Sequence, residues 1–157
     1  MDLKGKVAIV TGGTRDIGRA ISIRLAKEGV KVVANYFNNE DNAKETLKQI
    51  ESAGGTAIIV KGDMTKNADV ENLVKETTAA FGDSIDIVVN NAGGLVARKT
   101  IDEMDEAFFN KVMFLNLNST FLVSKAALPH MSSGGSIVNI ASQAGRDGGG
   151  GGSLAYA

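Results

Sequence analysis

Val7-Ala8-Ile9-Val10-Thr11-Gly12-Gly13-Thr14-Arg15-Asp16-Ile17-Gly18-Arg19-Ala20-Ile21 decides the fold. Val7 to Val10 is apolar at every position, the pattern of a strand buried on both faces of a parallel sheet. Glycines follow, and then Ile17, Ala20, Ile21 and Leu25 recur at the spacing of one helix face. Gly29 ends that helix. The same unit repeats outward along the chain. Lys31 to Asn35 reads as a second strand, and Ala43, Leu47 and Ile50 mark a helix before Gly54-Gly55. Thr56 to Val60 is a third strand; Val70, Leu73, Val74, Thr77 and Phe81 form a helix closed by Gly82. Ile85 to Val89 is a fourth strand, running into Asn90-Asn91-Ala92-Gly93. Thr100-Ile101-Asp102-Glu103 has the form of a capping box, and the helical stretch it opens is expected to run, with a break, to about Met131. Gly135 to Ile140 is the fifth strand. Alternating strands and helices with right-handed crossovers predict an α/β fold, a doubly wound parallel sheet of the Rossmann-like kind.

Composition narrows the function. The 157 residues and 16.3 kDa suit one domain, expected to be 1–157. Seventeen Lys and Arg balance eighteen Asp and Glu, with no long run of either sign, which argues against a nucleic-acid partner. With no cysteine and one histidine, His130, disulfides, thiol nucleophiles and histidine-rich metal sites are excluded, and no metal site is expected. His130 follows Pro129 near a helix end and reads as structural. No apolar run approaches the roughly 18 residues of a membrane-spanning helix, so no membrane partner is expected. The amino terminus lacks the form of a secretory signal, and a cytoplasmic location is expected.

Such a sheet binds ligands beyond the carboxyl ends of its strands, where the strand order reverses. With the first strand central, that crevice lies between strands one and four. Two glycine-bearing segments end those strands: Thr11 to Gly18 and Asn90 to Gly94. Gly12 permits a tight turn, Gly18 permits close packing of helix on sheet, and the helix N-terminus suits a pyrophosphate. A glycine-rich turn can also serve merely to connect two elements. Asn35, Asp63 and Met64 follow the second and third strands and face an adenosine in this scheme. A carboxylate after the second strand would favour NAD; Asn35 is uncharged and Arg15 lies in the neighbouring turn, which favours NADP. Arg15 as a solvated surface residue is the alternative.

Three further runs carry a resemblance. The spaced Thr11-Gly12 and Gly18, Asn90-Asn91-Ala92-Gly93, and Gly135-Ser136-Ile137-Val138-Asn139-Ile140-Ala141-Ser142 resemble the short-chain dehydrogenase/reductase family. The texture at Asn35-Tyr36 and Leu128-Pro129-His130-Met131 is similar to its 3-oxoacyl-[acyl-carrier-protein] reductase-like members. The resemblance implies an NADP-dependent oxidoreductase, with NAD the lesser expectation, acting on a small carbonyl or alcohol substrate. It implies coenzyme contacts from Gly12, Thr14, Arg15, Asp16, Ile17 and Gly18 in the first turn, from Asn35, Asp63 and Met64, and from Asn90, Asn91, Ala92 and Gly93. It implies catalytic roles for Asn116, for Ser142 as hydrogen-bond donor to the carbonyl, and for Tyr156 as proton donor to the oxygen that gains charge as hydride arrives. Plainer readings stand beside these: Asn116 could bend or cap its helix, and Ser142 could cap a turn.

The sequence departs from the family in three places. Asp16 stands where the family usually has glycine, close to the expected pyrophosphate. The family's lysine, four residues beyond its tyrosine, would fall after Ala157. Tyrosine is ordinarily a weak acid, with a pKa of about 10, so without that lysine a large loss of rate is expected. Two further strands and the substrate-covering segment are also absent by comparison, so the chain is expected to be a fragment with a bare fifth-strand edge. A homo-oligomer is expected of a full chain. The glycine run Gly148 to Gly152 reads as a natural loop in preference to an engineered linker. Two rival functions remain open: a dinucleotide-binding remnant without turnover, and a methyltransferase-like domain for adenosylmethionine, against which the Ser142–Tyr156 spacing argues.

Overall fold

The computed structural model describes residues 2–157. Five strands form one sheet: β1 (Val7–Val10), β2 (Lys31–Tyr36), β3 (Thr56–Lys61), β4 (Ile85–Asn90) and β5 (Met131–Asn139). All pairings are parallel, and the order is β3-β2-β1-β4-β5, so the strand order reverses at β1 as the doubly wound reading requires. Helices α1 (Asp16–Lys27), α2 (Glu40–Ser52) and α3 (Asn67–Phe81) make the first three crossovers. The two-residue period of the strands divides the core. Ala8, Val10, Val32, Ala34 and Val89 pack with Ala26 of α1 and Ile50, while Ile9, Val33, Val60 and Val88 pack with Leu73 and Val74 of α3 and with Val123.

Three sequence expectations need correction. The buried face of α1 is Gly18, Ser22 and Ala26, not a stripe beginning at Ile17, which is 62% exposed. Small side chains at i, i+4 and i+8 let the helix lie close to the sheet, and Ile17 sits at the crevice mouth beyond the sheet's end. Only part of the capping box forms. The Glu103 carboxylate accepts from Thr100 N–H and hydroxyl, each at 2.9 Å, but the helix starts later. Helix α4 (Glu106–Met113) is capped by Asp105, which accepts the Phe108 N–H at 2.7 Å. The long helical stretch runs to His130 with a break, as expected. A π-helical segment, Phe114–Asn118, separates α4 from α5 (Ser119–Ala127), and a 3-10 turn, Leu128–His130, follows. Strand β5 therefore begins at Met131, earlier than Gly135, with its register on β4 shifted between Ile85 and Ile87.

The expected bare edge is present: Ile137, Val138 and Ile140 are exposed, and no charged side chain lies between Met131 and Gln143. After β5 comes one short helix, α6 (Ala144–Asp147), and then turns. His130 pairs through Nδ1 with Asp83 at 2.7 Å, consistent with a structural place. No helix among the described residues is long and apolar enough to cross a membrane.

Candidate active site

The β1–α1 turn and the β4 turn meet over the switch point. Thr11 is buried, and its hydroxyl oxygen accepts N–H bonds from Asn91 at 3.0 Å and Ala92 at 2.9 Å while donating to Val89 O at 3.4 Å. In return the Asn91 amide donates to Thr11 O and Gly12 O at 3.0 and 3.2 Å. Gly12 has φ +58, and its Cβ position would stand 3.2 Å from the Asn91 amide nitrogen. At Gly18 a β-carbon would stand 2.1 Å from Gly12 O, so no side chain fits there. The two segments singled out in the sequence thus form one floor.

The wall above that floor is the start of α1. Its N-cap, Arg15, is extended and makes no side-chain cap bond, so the first-turn N–H groups stay open at the positive end of the helix dipole. Closely approaching backbone, a glycine pair and an uncapped helix start together fit the pyrophosphate of a dinucleotide. Asp16 has φ +48, an uncommon conformation for a residue with a side chain, and its carboxylate lies 3.3 Å from Arg15 Nη1 with both groups exposed. Arg19 is a feature the sequence did not flag. Its Nε donates to Thr14 O and Thr46 Oγ1, and its Nη2 to Asn42 O, tying the turn to α2.

On the adenosine side the side chains are less free than their positions suggested. Asn35 is 2% exposed. It accepts from Gly12 N–H and donates to Val60 O and Gly62 O, so its amide buttresses the turn. Met64 belongs to the core. Asp63 accepts from Thr65 N–H and hydroxyl at 3.0 and 2.7 Å. After β2, Phe37, Asn38 and Asn39 are exposed, and no carboxylate lies between Tyr36 and Glu40.

The β4 turn joins the long helical stretch through Asn116. Its amide donates to Gly94 O at 3.0 Å and Val112 O at 2.9 Å, and its oxygen accepts Gly94 N–H at 2.9 Å. A β-carbon at Gly93 would stand 2.7 Å from that oxygen. Asn116 sits inside the π-helical segment, whose wider turn carries its amide to the loop. Asn90 donates to Ser124 Oγ and Asn139 Oδ1, tying β4 to α5 and β5, and its buried Oδ1 has no partner.

Ser142 and Tyr156 line one open hollow of about 550 Å³ with Leu95, Arg98, Gln143 and Asp147. Ser142 Oγ accepts the Ala144 N–H at 3.1 Å, so the turn-capping contact exists, and its own proton remains free to donate. Gly148, Gly149, Gly150 and Gly152 all have positive φ, and Ser153 Oγ donates to Gly148 O at 3.0 Å, so the glycine run is a folded loop. It is clasped to the segment after β4. Arg98 Nη1 donates to Gly151 O at 2.8 Å and Gly149 O at 3.3 Å, and Lys99 N–H donates to Gly152 O at 2.9 Å. Just before this clasp the Ala97 N–H donates to Leu95 O at 2.8 Å around Val96, whose φ is +66, a strained γ-turn for a β-branched residue. Neither the clasp nor the γ-turn carries a sequence signal, since each depends on a loop some fifty residues away or on backbone alone.

Comparison with known proteins agrees with this geometry. The family model described as short chain dehydrogenase matches residues 6–157. An uncharacterized oxidoreductase of Thermotoga maritima is 42% identical over 147 residues, 92% of this chain and 57% of that one. A hydroxynaphthalene reductase-like protein, Arp2, of Metarhizium guizhouense is 41% identical over 142 residues, covering 90% of this chain and 52% of the relative. Among solved structures, a short-chain dehydrogenase/reductase of Serratia marcescens superposes with a TM-score of 0.94 at 35% identity, over 99% of this chain and 63% of that one. The NADH-dependent reductase A1-R′ complexed with NAD gives 0.92 at 36%, over 99% and 66%. The chain therefore spans a little over half the length of the curated relatives it matches. On the strength of the family match and of the two interlocked turns, the chain belongs to the short-chain dehydrogenase/reductase family.

Proposed function

We propose that the protein is an oxidoreductase that binds NADP, in preference to NAD, and moves hydride between the nicotinamide and a carbonyl or alcohol compound, a 3-oxoacyl compound being the class its motifs suggest. The observation that carries this reading is the Thr11 hydroxyl, which joins the two turns so that the open start of α1 overlooks a shared floor. When bound, the nicotinamide supplies the hydride. In this reading the α1 N–H groups take the pyrophosphate, and Gly12, Asn90, Asn91, Ala92 and Gly93 form the surface against which the dinucleotide lies. Asn116 holds the Gly93-Gly94 backbone in place. Ser142 donates to the carbonyl oxygen, and Tyr156 delivers a proton to that oxygen as negative charge develops on it.

Support for NADP lies in the exposed Arg15, in the turn whose Gly13 N–H donates to Asn35 O of β2, and in the lack of a carboxylate from Tyr36 to Asn39. The Arg15–Asp16 pair is solvent-exposed and worth at most about 1 kcal/mol, so the guanidinium can leave it for a phosphate. A second reading, dinucleotide binding without turnover, rests on one observation: among the described residues, no lysine lines the hollow that holds Tyr156. Self-association is supported by Phe109, Phe114, Leu117 and Phe121, exposed along α4 to α5. Titration with NADPH, NADH and adenosylmethionine, followed by fluorescence, tests the coenzyme. Saturation by NADPH with oxidation on adding carbonyl compounds supports the first reading, and saturation without oxidation supports the second. Saturation by adenosylmethionine alone defeats both.

A further inference from the structure

Among the described residues that line the hollow holding Ser142 and Tyr156, Arg98 is the one cationic group, and the glycine run brings no side chain to it. Nη1 is spent on the carbonyls of Gly149 and Gly151. Nε and Nη2 make no hydrogen bond among the described residues, and Arg98 pairs with no carboxylate, although Asp147 lines the same hollow. Asp147 is turned to its own loop, where Oδ1 accepts the Gly149 N–H at 2.9 Å. Arg98 is held from both sides. The strained γ-turn at Val96 fixes the backbone before it, and the Lys99 N–H to Gly152 O bond fixes the backbone after it. A guanidinium anchored through one nitrogen, with its other donors unspent, is a prepared anion site.

We infer that Arg98 receives the carboxylate of a carbonyl substrate, so that the substrate is an oxo acid and not a neutral ketone, aldehyde or ester. This rests on the oxidoreductase reading above and replaces its 3-oxoacyl suggestion, since an acyl thioester has no free carboxylate to offer a guanidinium. The loop clasp and the anion site are one device. Nη1 holds the glycine run open as a rim, and the remaining N–H groups meet the acid from within it. Ser142 and Tyr156, on the same hollow, then face the oxo group of the same molecule.

The test uses the 157-residue chain and two small probes, 4-oxopentanoate and its methyl ester, titrated while the side-chain Nε–H signal of Arg98 is followed by NMR. The expected result is saturable movement of the Arg98 signal with the acid, and binding of the ester at least tenfold weaker. Arg98→Met should bring the acid to the ester's level, and Arg98→Lys should restore part of the difference, since a point charge replaces a fork. The lysine variant and the wild-type signal keep the test decisive if the methionine variant loosens the glycine loop. Equal binding of acid and ester, movement of other cations in place of Arg98, or absence of acid binding overturns the inference. NADPH titrated in parallel separates the two claims: loss of dinucleotide binding with acid binding intact defeats the oxidoreductase reading, whereas the converse defeats the role of Arg98 alone.

Discussion

Replacing Asp16 by glycine should tighten dinucleotide binding while leaving fold stability nearly unchanged. Asp16 combines a left-handed backbone, φ +48, with a carboxylate at the uncapped start of α1, where the pyrophosphate is placed by the proposed reading. Left-handed backbone costs a residue with a side chain roughly 1 kcal/mol, and glycine relieves that. Against this, glycine loses roughly 0.5–1 kcal/mol more chain entropy on folding, and the favourable meeting of Asp16 with the helix dipole, about 0.3–1 kcal/mol, is lost. These nearly cancel, so the thermal midpoint should move by no more than about 3 °C. Binding has no such cancellation. At about 7 Å in water, two like unit charges repel by about 0.6 kcal/mol, and a pyrophosphate presents two; screening by salt halves the sum. Releasing Arg15 from its 3.3 Å partner adds to the gain. The dissociation constant for NADPH should fall roughly three- to tenfold, since each 1.4 kcal/mol is a factor of ten. Fluorescence titration at low and high salt reads this directly. Asp16→Asn, which removes charge but tolerates the left-handed conformation, should capture most of the gain, and the gain should shrink in high salt. A dissociation constant that stays within twofold for both variants, or rises, refutes the electrostatic reasoning.

Other perturbations test the floor and the sheet. Gly18→Ala places a β-carbon 2.1 Å from Gly12 O; the turn must shift, costing about 1–3 kcal/mol of stability by urea unfolding and abolishing dinucleotide binding. Thr11→Val removes the acceptor for two N–H groups, each costing about 1–3 kcal/mol when left unsatisfied and buried, and a drop in thermal midpoint of several degrees checks it. Asp86 gives a pH dependence. Burial alone would raise its pKa, but the Lys6 ammonium at 2.8 Å and the Val7 N–H at 2.9 Å outweigh that and hold it below the usual carboxylate value. A carboxyl with a depressed folded-state pKa contributes stability above its unfolded pKa and loses it as pH falls through the folded one. Asp86→Asn should therefore destabilise the chain at pH 7 by about 1 kcal/mol, and its stability should change less than wild type's as pH falls below about 4, measured by urea midpoints across that range.

What the sequence disclosed and what it hid divide along physical lines. Val7 to Val10 is apolar throughout and Ile85 to Val89 is apolar at all but Asp86, so a central position was legible, and the switch-point rule then brought Thr11–Gly18 and Asn90–Gly94 together. Periodicity misled at Ile17, because an apolar residue at the first turn of α1 overhangs the crevice and never reaches the sheet. It was silent on the π-helical segment, which forms where the Asn116 amide bonds Gly94, twenty-two residues upstream. Asn35 is polar at a strand end, and its burial and its bonds to Gly12, Tyr36, Val60 and Gly62 emerge only from the fold. Arg98 gave no sign at all, since its importance lies in carbonyls fifty-one and fifty-three positions later.

The Thr11 hydroxyl uses its whole bonding capacity, one donated bond and two accepted, on the neighbouring strand and its turn. β1 and β4 are consequently stapled at the point where a guest would press hardest, and the sheet cannot spread there to admit it. Whatever breathing ligand entry demands falls to the opposite bank, where the glycine rim is tied to the segment from Leu95 to Lys99 by a few exposed bonds. Amide exchange should accordingly be slow at Asn91 and Ala92 and fast across 148–152, giving the cleft one fixed jaw and one that yields.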